Sequence, residues 1–350
     1  MLVTVFGDTG ASTMASSSQS TLLPPCSVGQ DERPRRIGVE IEFAGLPAAD
    51  ILNVMHGCFG GTVVKHSHFE HELTDSELGT FALELDAQQL KQLAQSYEAG
   101  QKNDEDSLLD DFSMELLSLA AEQFVPWEIV TAPFEFAQLH RLDDMVHQLR
   151  QRGAKGTRES LRFAFGVHLN MELPDLQAAT ILAYMRAYFC LYDWIALQED
   201  IDLVRRVTPY INHFPQSYVE KVINLNYQPA LSELIDDYLE ANPTRNRSLD
   251  MLPLFTYLDE QRVRRVVHDQ RVTARPTLHY RLPNCDIDNP NWSIDSIWRE
   301  WLQVEHLAQD QEKLAKVCRV FRLELQRLTR FIDDDWAVQC QHWLVDLDTQ

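Results

Sequence analysis

At 350 residues and 45% apolar content, the chain can bury a sizeable core, which sets it apart from disordered and fibrous sequences. Its 31 basic and 53 acidic side chains leave a formal charge of −22, which repels a long polyanion and argues against nucleic acid as a partner. Six scattered cysteines without Cys-x-x-Cys spacing speak against a disulfide scaffold or zinc ribbon and for reduced thiols.

In chain order, residues 1–32 are rich in Ser, Thr and Gly and lack an apolar period, so a disordered tail is expected. No Lys or Arg precedes Arg33, so a secretory n-region is lacking and the cytoplasm is the expected location. In Arg36-Ile37-Gly38-Val39-Glu40-Ile41-Glu42-Phe43 the apolar residues alternate with the charged ones, which predicts a strand with Glu40 and Glu42 on one face. Gly57, Gly60 and Gly61 predict a turn before the next strand, and His66, His68, Glu70 and Glu72 read as a polar strand face rather than a zinc site.

A further strand at 79–86 carries Glu84 and Asp86, and the short strand at 127–133 presents Glu128 before Pro133. Helical periodicity marks 88–99, 108–123 and 136–152, and the Gly153–Thr157 segment reads as the turn after the last of these. From Leu161 to Glu172 the odd positions are apolar while the even ones bring Arg162, His168, Asn170 and Glu172. Pro174 is expected to open a helix reaching about Glu199. Arg186 and Asp193 interrupt its apolar run, so no membrane span is expected.

Helices follow at 217–223, 231–240 and 249–270, and the loop at 243–248 offers Arg245 and Arg247 to an anionic ligand. The strand at 275–282 places Arg275, Thr277, His279 and Arg281 on one face. Helical spacing resumes at 293–333, in a region expected to pack on the sheet or on a second subunit of a homo-oligomer. The mix predicts an α+β fold rather than alternating β-α units.

Carboxylates on some strands and arginines on others are the groups that metal-assisted phosphoryl transfer uses, because cations bridge phosphate oxygens while arginines stabilise the developing charge. The segments at 38–43, 127–133 and 165–170, with the terminal arginine of the strand at 275–281, occur in an order that resembles carboxylate-amine ligases related to glutamine synthetase and glutamate-cysteine ligase. The likeness is to their amidoligase branch, over about residues 36–290. It implies a curved antiparallel sheet of glutamine-synthetase-like type, with helices on its outer face and a helical C-terminal region.

On this resemblance residues 33–292 form the catalytic domain, with a helical insertion at about 88–123, and 293–350 pack on it. ATP and Mg²⁺ (or Mn²⁺) would activate a carboxylate as an acyl phosphate and join it to an amine, the substrates being small molecules or peptides. Position by position, Glu40, Glu42 and Glu128 resemble metal ligands, His168 the histidine facing metal and phosphate, and Arg281 the arginine on the transferred phosphoryl group. Glu84 is a further metal candidate, with Asp75 and Asp86 as alternatives. Arg275 would assist Arg281, and Asn170, Arg245 and Arg247 would contact the nucleotide. The related ligases commonly carry Glu where this chain has His279, which leaves the number and kind of metals open. A phosphotransferase and a non-catalytic binding protein are the alternative readings.

Overall fold

The computed structural model describes residues 22–85, 125–157, 165–199, 214–327 and 335–349. The insertion expected at 88–123, Asp86 and Arg162 lie outside the described residues, as does most of the expected tail.

Among the described residues, nine strands form one open antiparallel sheet with helices, a mixed α+β architecture. The strands are β1 (Arg36–Phe43), β2 (Thr62–Lys65), β3 (Glu70–Ser76), β4 (Gly79–Leu85), β5 (Trp127–Thr131), β6 (Phe134–Glu135), β7 (Val167–Glu172), β8 (Leu249–Asp250) and β9 (Thr277–Tyr280). Their order is β2-β3-β4-β5-β1-β7-β9-β8, with β6 also paired to β1, so β1 lies near the middle.

Because directly paired residues point to the same side, the register alone sorts the sheet into two faces. Ile37, Val39, Ile41 and Phe43 of β1 share a side with Met171, Leu169 and Val167 of β7 and with Ile129 and Trp127 of β5. All nine are buried.

Helices cover this apolar side. α1 (Ala48–Phe59) stacks Phe59 on Phe81 of β4. After α2 (Arg141–Gln151), α3 (Ala178–Gln198) sets Tyr188 edge-on to Tyr280 of β9. The shorter α4 (Gln216–Ile223), α5 (Leu231–Ala241) and α6 (Leu252–Arg264) precede β9, and α7 (Ile294–Gln309) brings Trp301 to 4.8 Å from the same tyrosine ring. α8 (Gln311–Glu324) and α9 (Asp335–Cys340) pack on α3, where Trp336 donates to the Cys190 carbonyl.

Three local expectations need correction. The turn expected around Gly57 is part of α1, since Ile51, Leu52, Val54, Met55 and Phe59 supply a buried stripe and Gly57 has open space beside it. The turn is made by Gly60 and Gly61. At Gly61, φ is +93° and a Cβ would come within 2.5 Å of the Thr74 carbonyl oxygen. α3 starts at Ala178 rather than Pro174, because Asp175 accepts a bond from the Gln177 amide in a turn that precedes it. Leu249 and Asp250 begin no helix but pair with Tyr280 and His279 of β9, and α6 follows.

Arg35 ties the two layers together. Its guanidinium donates to both carboxylate oxygens of Glu305 on α7, at 3.0 and 2.8 Å, and to the carbonyls of Glu172 and Cys26. Tyr184 and Trp301 donate to the same carboxylate, and both ions of the pair are fully buried. Burial opposes the charge of Arg35, but Glu305 outweighs it and keeps the guanidinium protonated. Glu305→Ala would leave that cation without its counter-ion, so we expect a loss of about 3–5 kcal/mol in urea unfolding. Replacing Arg35 and Glu305 together by apolar residues of similar volume should restore most of the loss.

Asp143 of α2 accepts from the amides of Ile294 and Asp295 at the start of α7. Burial, only partly offset by these bonds, raises its carboxyl to about 6. The unfolded chain loses this proton near pH 4, before the folded one, so stability falls as pH rises through about 4–6 and the cost persists above. Urea unfolding of wild type and Asp143→Asn should show the balance moving toward the variant by about 1–3 kcal/mol between pH 4 and pH 7.

Candidate active site

The face opposite the helices carries the ionisable side chains singled out in the sequence, and register arranges them row by row. Glu42 pairs with Glu128, and Glu128 with Glu84. One row along, Glu40 pairs with His168, and in the next Gly38, Asn170, His279 and Asp250 follow one another across β1, β7, β9 and β8. Thr131 stabilises the centre of this arrangement. Between the stretches of β1 that pair with β5 and β6, its hydroxyl accepts the Val39 amide at 2.9 Å, a donor that the break in pairing leaves over. Thr131→Val keeps the shape and removes the acceptor, so we expect about 1–3 kcal/mol lower stability by chemical unfolding.

Glu40 is the centre of the site and is 7% exposed. Its Oε1 accepts from Asn170 Nδ2 at 2.9 Å and Arg275 Nη1 at 3.0 Å. Its Oε2 lies 2.7 Å from His168 Nδ1 and 3.6 Å from His279 Nε2. Burial opposes the carboxylate, but His279 and His168 outweigh it and hold Glu40 well below the usual carboxylate range. Burial likewise pushes His279 down to about 3 against the pull of Glu40. A His168 that donates from Nδ1 to Glu40 keeps a lone pair on Nε2, which lies 4.0 Å from Glu42 Oε1. The other Glu42 oxygen accepts the Gly166 amide at 2.8 Å, which fixes the side chain.

Among the described residues, two groups of three have ligand atoms within 4.8 Å of one another: Glu40, His168 and His279, and Glu42, Glu128 and His168. Both lie on the polar face, and His168 belongs to each. Glu84 is placed differently. It is exposed beside Glu128, and burial together with Glu70 and Glu72 raises its carboxyl. Among the described residues it enters neither group. Asp75 lies in the irregular end of β3, where the register shifts before the turn, with φ of 56°. His66, expected on a strand face, lies in the bend between β2 and β3 and pairs with Glu72 of β3 at 3.2 Å, outside both groups.

The arginines gather at the β8 and β9 end. Arg281 Nη1 donates to the Arg245 carbonyl at 2.7 Å, and its amide to the Ser248 carbonyl. Burial, with Arg281 and Arg271 nearby, lowers the pKa of Arg245. Arg247 points elsewhere, donating to Asn242 and lying over the Phe214 ring.

The functional group that sequence reasoning missed is Asp250, 2% exposed and opposite His279. Burial raises its carboxyl to about 7, against Arg281, Arg245 and Arg275 and a bond from the Leu252 amide. The signal that could have found it is Leu249-Asp250 read as an edge segment pairing with the strand that holds His279.

A cleft of about 590 Å³ opens at the end of this face, where Arg36, Glu135 and Glu172 meet Pro276, the neighbour of Arg275. Acidic strands, an arginine-rich end and a cleft beside it thus lie together.

Residues 33–303 match the family described as putative amidoligase enzyme, and the chain belongs to that family. Comparison with curated proteins and with solved structures returns no match. Among the described residues no helix is long and apolar enough to cross a membrane, and all six cysteines are free thiols.

Proposed function

We propose that the protein is an ATP-dependent ligase that joins a carboxylate to an amine through an acyl phosphate. One observation carries this reading: two donor groups sharing His168 lie on the same sheet face as Arg275, Arg281 and Arg245. Family membership supports a ligase, and the placement of charge supports phosphoryl transfer as its activating step.

The donor set fits divalent cations. Glu42, Glu128 and His168 Nε2 would hold one ion and Glu40 with His279 another. Held there, such ions would neutralise phosphate charge. The imidazoles of His168 and His279 favour Mn²⁺ over Mg²⁺ relative to an all-carboxylate set. Glu40 orients His168 through Nδ1 and so aims Nε2 at Glu42. Arg281 is held in place by its bond to the Arg245 carbonyl and bears on the transferred phosphoryl group, with Arg245 adding positive charge beside it. The cleft at Pro276 admits the acid or the amine from the far end of the same face.

The test is ADP formation across a matrix of acids and amines in the presence of Mg²⁺ or Mn²⁺. Turnover should require one acid and one amine together. Glu40→Gln combined with Glu42→Gln should lower it by a factor of about 10² or more without altering the folded circular dichroism. Full turnover in that folded double variant removes the metal assignment, and ADP release that needs no amine removes the ligase.

A further inference from the structure

Two buried polar atoms beside Glu40 are unsatisfied. His279 Nε2 and Asn170 Oδ1 make no hydrogen bond, although these side chains are paired neighbours on β9 and β7 and are almost wholly enclosed. An unpaired polar atom in the interior is costly, and such atoms mark places where an ion or ligand group completes the structure. Imidazole nitrogen and amide oxygen are both cation ligands. Between them lies Glu40, whose charge is met by Arg275 through a single bond of 3.0 Å. That pairing is incomplete, since Arg275 Nε is itself buried without a partner. The arginine side chain is 34% exposed, so it borders solvent while Glu40 does not.

We infer that Arg275 stands in for a divalent cation: its guanidinium neutralises Glu40 in the metal-free protein, and its departure opens a site made by Glu40, His279 Nε2 and Asn170 Oδ1. This rests on the ligase reading and adds an order of loading to it. An ion at Glu42, Glu128 and His168 would meet three ligand atoms already within 4.8 Å of one another, with His168 Nε2 facing Glu42. The second ion enters only as Arg275 leaves. The released guanidinium belongs to the same cluster as Arg245, Arg281 and Asp250, where an anionic group of the nucleotide would receive it. Cation and nucleotide therefore bind cooperatively at this end of the site.

The test is a Mn²⁺ titration of the metal-free full-length protein without nucleotide, with free Mn²⁺ followed by electron paramagnetic resonance. Wild type should show one tight and one weaker class of site. In Arg275→Ala and Arg275→Gln the weaker class should tighten about tenfold or more, the tight class should be unchanged, and ATP should bind the Mn²⁺-loaded protein more weakly than it binds wild type. A crystal structure of wild type with Mn²⁺ should show Arg275 Nη1 beyond hydrogen-bond reach of Glu40. An unchanged weaker class in variants that melt like wild type overturns the inference, as does an ion on Glu40 with the Arg275 bond intact. Survival of the tight class in Glu42→Gln with Glu128→Gln overturns the ligase reading and this inference with it.

Discussion

A carboxylate in the middle of a nine-stranded sheet is the constraint around which this site is arranged. Removing Glu40 from water costs several kcal/mol unless hydrogen bonds and opposite charge replace the lost solvent. Its partners come from three different parts of the chain: His168 and Asn170 from β7, His279 from β9, and Arg275 from the approach to β9. Such an arrangement exists only if β1 lies beside β7, and β7 beside β9, in the observed register. Slipping β1 by one residue would turn Glu40 toward the helices and Val39 toward the ligands, so stability and site geometry select the same register.

The Arg35 and Glu305 pair extends that selection to the helical layer. Arg35 immediately precedes β1, and its bond to the Glu172 carbonyl joins the start of β1 to the end of β7. Its ion pair with α7 holds the sheet to the helices beneath. Glu172 serves both sides, since its side chain grips Arg36 on the polar face while its carbonyl receives Arg35. Two successive arginines thus point to opposite faces, as strand geometry requires, and each finds an acceptor on the same residue of the neighbouring strand.

Period-two alternation made much of the sheet legible in the sequence. The faces of Glu40, Glu42, His168, Asn170 and His279 follow from residue parity once each segment is taken as a strand. Which strands are neighbours does not follow from parity, and the pairing of Glu42 with Glu128 across β1 and β5 is a product of tertiary packing. Short elements were the hardest to read. β8 has two residues, too few to show any period, and the helical pattern of α6 beginning at Leu252 extends by eye over Leu249 and Asp250. α1 was obscured for the opposite reason: its glycines carry a turn signal, yet a buried stripe from Ile51 to Phe59 outweighs the modest penalty of one glycine on an open helix face. Arg247 shows a third limit. A loop arginine has several possible partners within reach, and here an aromatic ring and an asparagine hold it.

The net charge of −22 hides how unevenly the polar face is charged. Glu42, Glu128, Glu84 and Glu70 form an acidic row across β1, β5, β4 and β3, while Arg245, Arg275 and Arg281 gather near β8 and β9. At separations beyond about 10 Å the rest of the surface is screened by salt, so these local groups set the field that a ligand meets. Asp250 sits inside the basic half, and burial keeps its carboxyl near the midpoint of titration at neutral pH. The basic half therefore holds its arginines together without full neutralisation by their own acid. The two halves of one face thus differ in sign. Glu40 lies at the seam between the two, bonded to an arginine from the basic half and to a histidine shared with the acidic one.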